Sequence, residues 1–388
     1  MENVYAEGAS EVVASLPSKN SAWRAYATEP QTDPAPLLPD ATPVRLLGTV
    51  AGQNLNAALL HDLYRRLVLG RRFNEQAGMF ARQGLLAVYP ASTGQEACQI
   101  ATATVLRATD WLFPTYRDTL AVVSRGVDPV EALALFRGDA HSGFNPYIHR
   151  IAPLSTPLGT HAPHAVGLAH AAQLRGEDVV ALALIGDGAT SEGDFHEALN
   201  FAGVFNAPVV FLVQNNGYAI SVPFAKQSVA PTLAHKGVGY GIHSRLVDGN
   251  DAAAMYIVLG EAVEHARSGC GPVLVEAVTY RLDPHTNADD ASRYRTIDEV
   301  DAWRQHDPVL LLEKHLRNTE ILDDNGVREI AVAAEEFVSS IRKAWSAEPT
   351  PDPMSLFAHV YAEPTTQLRE QFNMLRSELD TEAGMLAR

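Results

Sequence analysis

The chain has 388 residues, 46% of them hydrophobic, and a formal net charge of −16, enough to support one large or two ordinary domains. Its acidic balance and lack of any Lys/Arg run argue against a nucleic-acid or anionic-membrane surface, and small anions, if bound, must be met locally. Two distant cysteines, Cys98 and Cys270, exclude a disulfide framework and a zinc site, and with no basic-then-apolar leader and no stretch approaching ~18 uncharged apolar residues the expected location is cytoplasmic.

Residues 1–45, including "TEPQTDPAPLLPDATPVR", are rich in Pro, Ala, Ser and Thr and read as a flexible extension or a surface-hugging arm. From Leu55 the run "LNAALLHDLYRRLVLGRRFNEQAGMFARQG" carries apolar residues at helical spacing up to a break at Gly84, which predicts a long helix or a helix pair. "STGQEACQIATATVL" predicts a further helix capped by Ser92 or Thr93, and Pro114 interrupts "DWLFPTYRD". The Gly/Pro/His-rich run from Arg137 to Gly167 is expected to be mostly irregular. Three near-continuous apolar runs follow, at 179–186, 207–215 and 271–282. Their length suits parallel strands covered on both faces. Helical patterns lie between them, "FHEALNFAGVF" and "DAAAMYIVLGEAVEHAR", so the expected class is α/β with a mostly parallel sheet. The tail from Asp298 reads as helices, with "VREIAVAAEEFVSSIRKAWSA" the clearest amphipathic segment. The expected division is 1–45 extension, 46–345 α/β domain and 346–388 C-terminal helical extension.

The first two apolar runs each end in a small polar cluster, Gly186-Asp187-Gly188 and Asn215-Asn216-Gly217. In a βαβ unit both strands end on one edge of the sheet, where open α/β folds place ligands, so Asp187 and Asn216 emerge side by side. Gly186 and Gly188 permit a tight turn, and the main-chain N–H groups of Ala189 and Thr190 lie near the next helix start, which suits a phosphate. One carboxylate, one amide oxygen and a nearby carbonyl form a hard oxygen set that leaves octahedral positions for phosphate oxygens and water, as Mg²⁺ prefers. A lone Gly-Asp-Gly is a common turn; the pair, 29 residues apart from Asp187 to Asn216, is a thiamine-diphosphate fingerprint. Neither a Gly-x-Gly-x-x-Gly nor a P-loop accompanies it.

With "FPTYRD", "GDGATSEGDFHEALNFA", "QNNGYAIS", "VDGND" and "YRLDPHTNADDASRYR" in this order, the chain from about Leu55 onward resembles the alpha subunit of thiamine-diphosphate-dependent 2-oxo acid dehydrogenases, the decarboxylating component of the branched-chain and pyruvate complexes. The resemblance implies a thiamine-diphosphate-binding fold with helical N- and C-terminal extensions. It implies Mg²⁺ ligation by Asp187, Asn216 and the main-chain carbonyl of Tyr218. Tyr116 and Arg117 are placed on the diphosphate, where the planar Arg fork suits phosphate oxygens. Thr156 and Leu158, in "LSTPLGTHAP", fall under the aminopyrimidine ring; Gly188, Ala189, Gln214 and Ile220 complete the cofactor-contacting set. Gln214 stands where some members carry a diphosphate-binding Arg. Some members bind K⁺ at positions matching Ser155, Pro157, Thr160 and His161, but His161 replaces an amide in that set, and K⁺ stays open. His285 matches the active-site histidine, an imidazole able to donate to a developing oxyanion or to pass a proton. Thr286 and Ser292 occupy the loop that is phosphorylated in mitochondrial members.

The same resemblance implies a partner beta subunit in an α₂β₂ heterotetramer, a lipoyl-bearing acyltransferase core and a 2-oxo acid substrate. The glutamate that activates the cofactor belongs to the beta subunit in this branch, so the chain is expected to be inactive alone. Leu86, Val88 and Tyr89 are acyl-pocket candidates, with a branched-chain 2-oxo acid placed ahead of pyruvate. A non-catalytic scaffold and a transketolase-like transferase are the competing readings. His141, His149 and His164 lack metal-ligand spacing and read as structural, and Glu192 and Asp194 read as acids favouring a helix N-terminus. The apolar face of "FHEALNFAGVF" reads as core or subunit contact.

Overall fold

In the computed structural model the described residues are 33–138, 143–347 and 352–386. The run after Leu55 forms one helix, α1 (Ala57–Arg82), capped by the Asn56 side chain, which accepts from the N–H groups of Ala58 and Leu59. Leu60, Leu63, Tyr64 and Leu67 are buried along one stripe of it. α2 (Glu96–Val105) starts later than expected and carries no side-chain cap. Ser92 and Thr93 are engaged elsewhere, with Asn74 and Asp283, and the Glu96 carboxylate takes the Gly94 N–H instead.

Next come β1 (Trp111–Phe113), α3 (Thr119–Ser124), α4 (Pro129–Arg137) and α5 (His161–Arg175). The Pro/Gly/His-rich run therefore ends in helix from His161 onward. The unit that carries the polar clusters is β2 (Ala181–Gly186), α6 (Gly193–Phe205) and β3 (Val209–Asn215), followed by a short hairpin, β4 (Tyr218–Ala219) and β5 (Val222–Pro223). β6 (His243–Asp248), α7 (Ala252–Arg267) and β7 (Val273–Val278) close the sheet; α8 (Ile297–Arg304), α9 (Pro308–Asn318), α10 (Asp324–Ala347) and α11 (Thr366–Leu386) form the tail.

All five main strands are parallel, in the order β1-β2-β3-β7-β6. Side chains alternate between the faces of a strand, and here both sets are buried. Leu182, Leu184, Val210, Leu212, Val273 and Val275 join the core beneath α1, α2 and α7. Ala181, Ala183, Ile185, Val209, Phe211, Val213 and Leu274 join a second core beneath α5 and α6. That double burial is why these runs are continuously apolar.

β1 and β6 were not anticipated. β1 is three residues long, too short for a period, and β6 is interrupted by His243 and Arg245, which are only half-buried at the sheet edge. Of the two readings of the N-terminal extension, its described part follows the surface-hugging arm, lying along β6. Val44 pairs with Val247, the Asp40 carboxylate accepts from Arg245 and the Leu246 N–H, and Asp251 accepts from the N–H groups of Leu46 and Leu47. The arm thereby satisfies an edge that would otherwise present unpaired backbone groups. Among the described residues no helix is long and apolar enough to cross a membrane.

Candidate active site

Residue Gly186 of β2 lies in register with Gln214 of β3, so the chain leaves both strands at one level, and β7 ends at Val278 opposite Asn215. A cavity of about 180 Å³ opens at these carboxyl ends. The turn after β2 lines it with Asp187, Gly188 and Ala189, the end of β3 with Gln214 and Asn216, and the hairpin with Tyr218, Ala219 and Ile220. Tyr116, Arg117 and Asp118 enter from the turn after β1, Leu158 from the loop before α5, Gln95 from the start of α2, and Arg281 and His285 from the segment after β7. Gly188 must be glycine here, because a Cβ would sit 2.7 Å from that of Ala219.

One side of the cavity is rich in oxygen. Asp187 is 2% exposed, its Oδ2 accepts from Gln227 Nε2 at 2.8 Å, and it forms no ion pair among the described residues. Burial raises its pKa, opposed by the Gln227 hydrogen bond. A buried carboxylate of this kind is costly unless a cation meets it. Asn216 donates through Nδ2 to Gln95 Oε1 at 3.0 Å, and its Oδ1 accepts from the Tyr218 N–H at 3.3 Å. The Tyr218 carbonyl accepts from Arg281 Nη1 at 3.3 Å, which leaves a second lone pair. The hydroxyls of Tyr218 and Tyr280 both donate to Glu299 Oε1 at 2.9 Å, pinning the hairpin to α8.

The other side is cationic. Arg117 Nη1 donates to the Ala91 carbonyl at 2.8 Å, and Nη2 lies 3.0 Å from both Nδ1 and the carbonyl oxygen of His285. Arg281 is 1% exposed and donates to the Ile220 carbonyl at 2.7 Å and to the Tyr294 hydroxyl at 3.0 Å. Burial and the neighbouring Arg117 lower its pKa. An anion placed between these guanidiniums relieves their mutual repulsion. Ile220 sits at φ 57°, a left-handed conformation that a β-branched residue adopts only at a cost, and such strain concentrates at functional loops.

His285 departs from the ordinary imidazole. Burial, then the charges of Arg117 and Arg281, lower its pKa from 6.5 to about 4. Because guanidinium only donates, Nδ1 is the acceptor and the proton of the neutral ring sits on Nε2. The ring can therefore donate to an oxyanion, whereas the imidazolium needed to deliver a proton is scarce near neutral pH.

Of the residues proposed for the cofactor, Tyr116, Arg117, Leu158, Asp187, Gly188, Ala189, Gln214, Asn216, Ile220 and His285 all line the cavity, as does Tyr218; Thr156 is exposed and does not. Gln214 contributes no free end, since its amide is held between Gln95 and Asp118. In the loop considered for K⁺, Ser155 donates to the Pro157 carbonyl, Thr160 donates to Asp194, and His161 Nε2 donates to the Leu184 carbonyl at 2.6 Å. Leu86 and Tyr89 are buried in the core, Val88 is 37% exposed, and none of the three lines the cavity. Glu192, read as a helix-terminus acid, also lines the cavity. His149 and His164 lie away from the cavity, His141 falls outside the described residues, and Ser292 is exposed while Thr286 is half-buried. Gln95, Gln227, Arg281 and Glu299 were not singled out from the sequence. Each is a polar residue whose partner is distant along the chain; of the family motifs only "YRLDPHTNADD" contains one of them, Arg281, while Gln95 sat unremarked in the helix segment "STGQEACQIATATVL".

A parallel sheet with this polar pair at its carboxyl edge, a buried carboxylate with no ion pair among the described residues and two arginines lining the same cavity fits a cofactor-dependent enzyme of the α/β class. The chain belongs to the Dehydrogenase E1 component family, whose model matches residues 64–354. Membership makes it part of an oxidoreductase that depends on thiamine diphosphate. It is 44% identical over 348 residues to the 3-methyl-2-oxobutanoate dehydrogenase subunit alpha of Mycobacterium tuberculosis, covering 88% of this chain and 95% of that protein. It is 39% identical over 326 residues to the pyruvate dehydrogenase E1 component subunit alpha of Acholeplasma laidlawii (83% and 94% covered), and 36% identical over 322 residues to that of Staphylococcus aureus (82% and 86% covered).

Proposed function

We propose that this chain is the alpha subunit of the decarboxylating component of a 2-oxo acid dehydrogenase complex, acting on a branched-chain substrate of the 3-methyl-2-oxobutanoate type. It works in the cytoplasm with a beta subunit, as an α₂β₂ heterotetramer, and passes the acyl group to a lipoyl-bearing acyltransferase. Residues 46–345 form the working α/β unit, and beyond the end of α10 the described residues add the helix α11 (Thr366–Leu386). The observation that carries the reading is Asp187, a buried carboxylate with no ion pair among the described residues, in the same cavity as the Asn216 amide and Tyr218.

The residues present fit a metal diphosphate. Asp187, Asn216 and the Tyr218 carbonyl are the oxygen donors a Mg²⁺ ion prefers. Ala189 lines the cavity and its main-chain N–H would serve a phosphate oxygen; Arg117 keeps Nε and one Nη1 hydrogen free of its bonds to Ala91 and His285, so it could meet phosphate without releasing the loop. When bound, thiamine diphosphate supplies the electron sink that lets a 2-oxo acid lose CO₂. The neutral His285 presents its Nε2 hydrogen to a developing oxyanion, and Arg117 and Asp289 hold the imidazole and its backbone in place. Leu158 and Ile220 offer apolar contact at the cavity wall.

Co-expression with the beta subunit, followed by 2-oxo acid-dependent reduction of an artificial acceptor, tests this. Activity with 3-methyl-2-oxobutanoate above pyruvate, absent without the partner, is expected. Preference for pyruvate overturns the substrate assignment alone, whereas inactivity on every 2-oxo acid overturns the function.

A further inference from the structure

We infer that Asp118 is a positioning residue for the metal: through a chain of two glutamines it dictates which end of the Asn216 amide faces the cavity. This rests on the reading of Asn216 as a metal ligand.

The chain is continuous and buried. Asp118 Oδ2 accepts from the Thr115 N–H at 2.8 Å and the Thr115 hydroxyl at 2.5 Å, and its Oδ1 accepts from Gln214 Nε2 at 2.7 Å. Gln214 Oε1 in turn accepts from Gln95 Nε2 at 3.2 Å, and Gln95 Oε1 accepts from Asn216 Nδ2 at 3.0 Å. Asp118, Gln95, Gln214 and Asn216 are 0%, 1%, 2% and 5% exposed, so water does not offer alternative partners to the links.

An amide can be turned end for end at little steric cost, so its orientation is set by its partners. Burial raises the Asp118 pKa while the hydrogen bonds from Thr115 and Gln214 favour the ionised form, and it is this carboxylate, which only accepts, that sets the chain. Asp118 therefore compels Gln214 to present nitrogen toward it and oxygen toward Gln95. Gln95 must then present oxygen to Asn216, which leaves Asn216 Oδ1 for the cavity. Reversing any one link places two donors or two acceptors face to face in a buried setting, which costs about 1–3 kcal/mol. At the far end the Tyr218 N–H supports the same orientation, at the longest distance in the chain, 3.3 Å.

The substitution Asp118→Asn tests the polarity with little change of shape. The Thr115 N–H cannot invert, so the introduced amide would turn its oxygen there and its NH₂ toward Gln214. Gln214, Gln95 and Asn216 would then flip in turn, breaking the weakest link at Tyr218 and aiming the Asn216 NH₂ at the metal. Adding Gln214→Glu restores an acceptor-only group one position along, and with it the original orientation. The measurement is calorimetric binding of thiamine diphosphate, at stepped Mg²⁺ concentrations, to the co-expressed alpha–beta protein. For Asp118→Asn a roughly 10- to 100-fold loss of Mg²⁺ affinity is expected, the range found when groups supporting metal ligands are removed. The Asp118→Asn/Gln214→Glu double variant is expected to recover to within about threefold of wild type, which mere damage to packing would not allow. Gln95→Met, which cuts the chain with Asp118 intact, should lose a similar amount. Wild-type Mg²⁺ affinity in Asp118→Asn or Gln95→Met, or a double variant no better than the single, overturns the relay. If Asp118→Asn fails to assemble, the Gln95→Met result decides. Unchanged Mg²⁺ affinity in Asn216→Ala would overturn the metal reading itself, and the relay with it.

Discussion

Nη2 of Arg117 lies 3.0 Å from Nδ1 of His285 and the same distance from that residue's carbonyl oxygen. One guanidinium from the turn after β1 thus fixes the tautomer, the ring orientation and the backbone of a histidine 168 residues further along the chain. Burial and the charges of Arg117 and Arg281 keep His285 neutral above about 4, and under the proposed function the same guanidinium would link the cofactor's diphosphate to this histidine.

Arg117→Lys keeps one charge but loses the fork, so it cannot hold phosphate and His285 together. At saturating cofactor, kcat in the co-expressed protein should fall by about tenfold or more, with a weaker cofactor affinity. A kcat unchanged at saturation would show that the Arg117–His285 contact has no part in turnover.

The histidines also predict a pH dependence. His285 and His265 are each lowered to about 4, in both cases chiefly by burial. Each therefore binds a proton in the unfolded chain below about 6.5 that the folded chain refuses until about 4, so its contribution to stability falls as pH drops through that window. Raised carboxylates such as Glu276 and Asp251 act in the opposite sense. The difference between wild type and His265→Asn isolates one histidine: the variant should lose less stability between pH 7 and pH 5 in urea unfolding, by up to one proton's worth of slope. Parallel pH profiles would contradict this.

Glu299 receives the hydroxyls of both Tyr218 and Tyr280. Glu299→Ala leaves two phenols without their acceptor and should destabilise the protein by about 1–3 kcal/mol, with Tyr218→Phe less costly in that background than in wild type. Additive losses in denaturant unfolding would indicate that the hydroxyl contact contributes nothing.

Within the helical layer, Arg71 pairs with Glu96, which is fully buried, and with Asp307. Arg71→Met strands both carboxylates and should cost about 3–5 kcal/mol, more than Leu212→Ala needs to cost at the low end of its about 2–5 kcal/mol range. A loss below about 1 kcal/mol for Arg71→Met would refute the view that this triad ties α1, α2 and α9 together.

What was legible in the sequence followed periodicity and end groups. β2, β3 and β7 announced themselves because both faces are buried, and Asp187 and Asn216 because each punctuates such a run. β1 and β6 stayed hidden: one is too short to show a period, and the other carries His243 and Arg245 at an edge that residues 40–48 cover. The hydrogen-bonding roles of the cavity's glutamines were illegible for a different reason. Gln95, Gln214 and Gln227 are ordinary amides in sequence, and their meaning comes from partners 119, 96 and 40 residues away. The acyl-pocket candidates Leu86 and Tyr89 matched in composition, but the helical core claims both side chains.

The most direct test of the metal-diphosphate site is thiamine diphosphate binding to the co-expressed alpha–beta protein, titrated with Mg²⁺ and again in EDTA, for wild type and Asp187→Ala. Tight binding that requires Mg²⁺ and is lost in Asp187→Ala is the predicted result. Equal binding in EDTA, or undiminished Mg²⁺-dependent binding in the variant, would contradict the assignment of Asp187 and its neighbours to the metal.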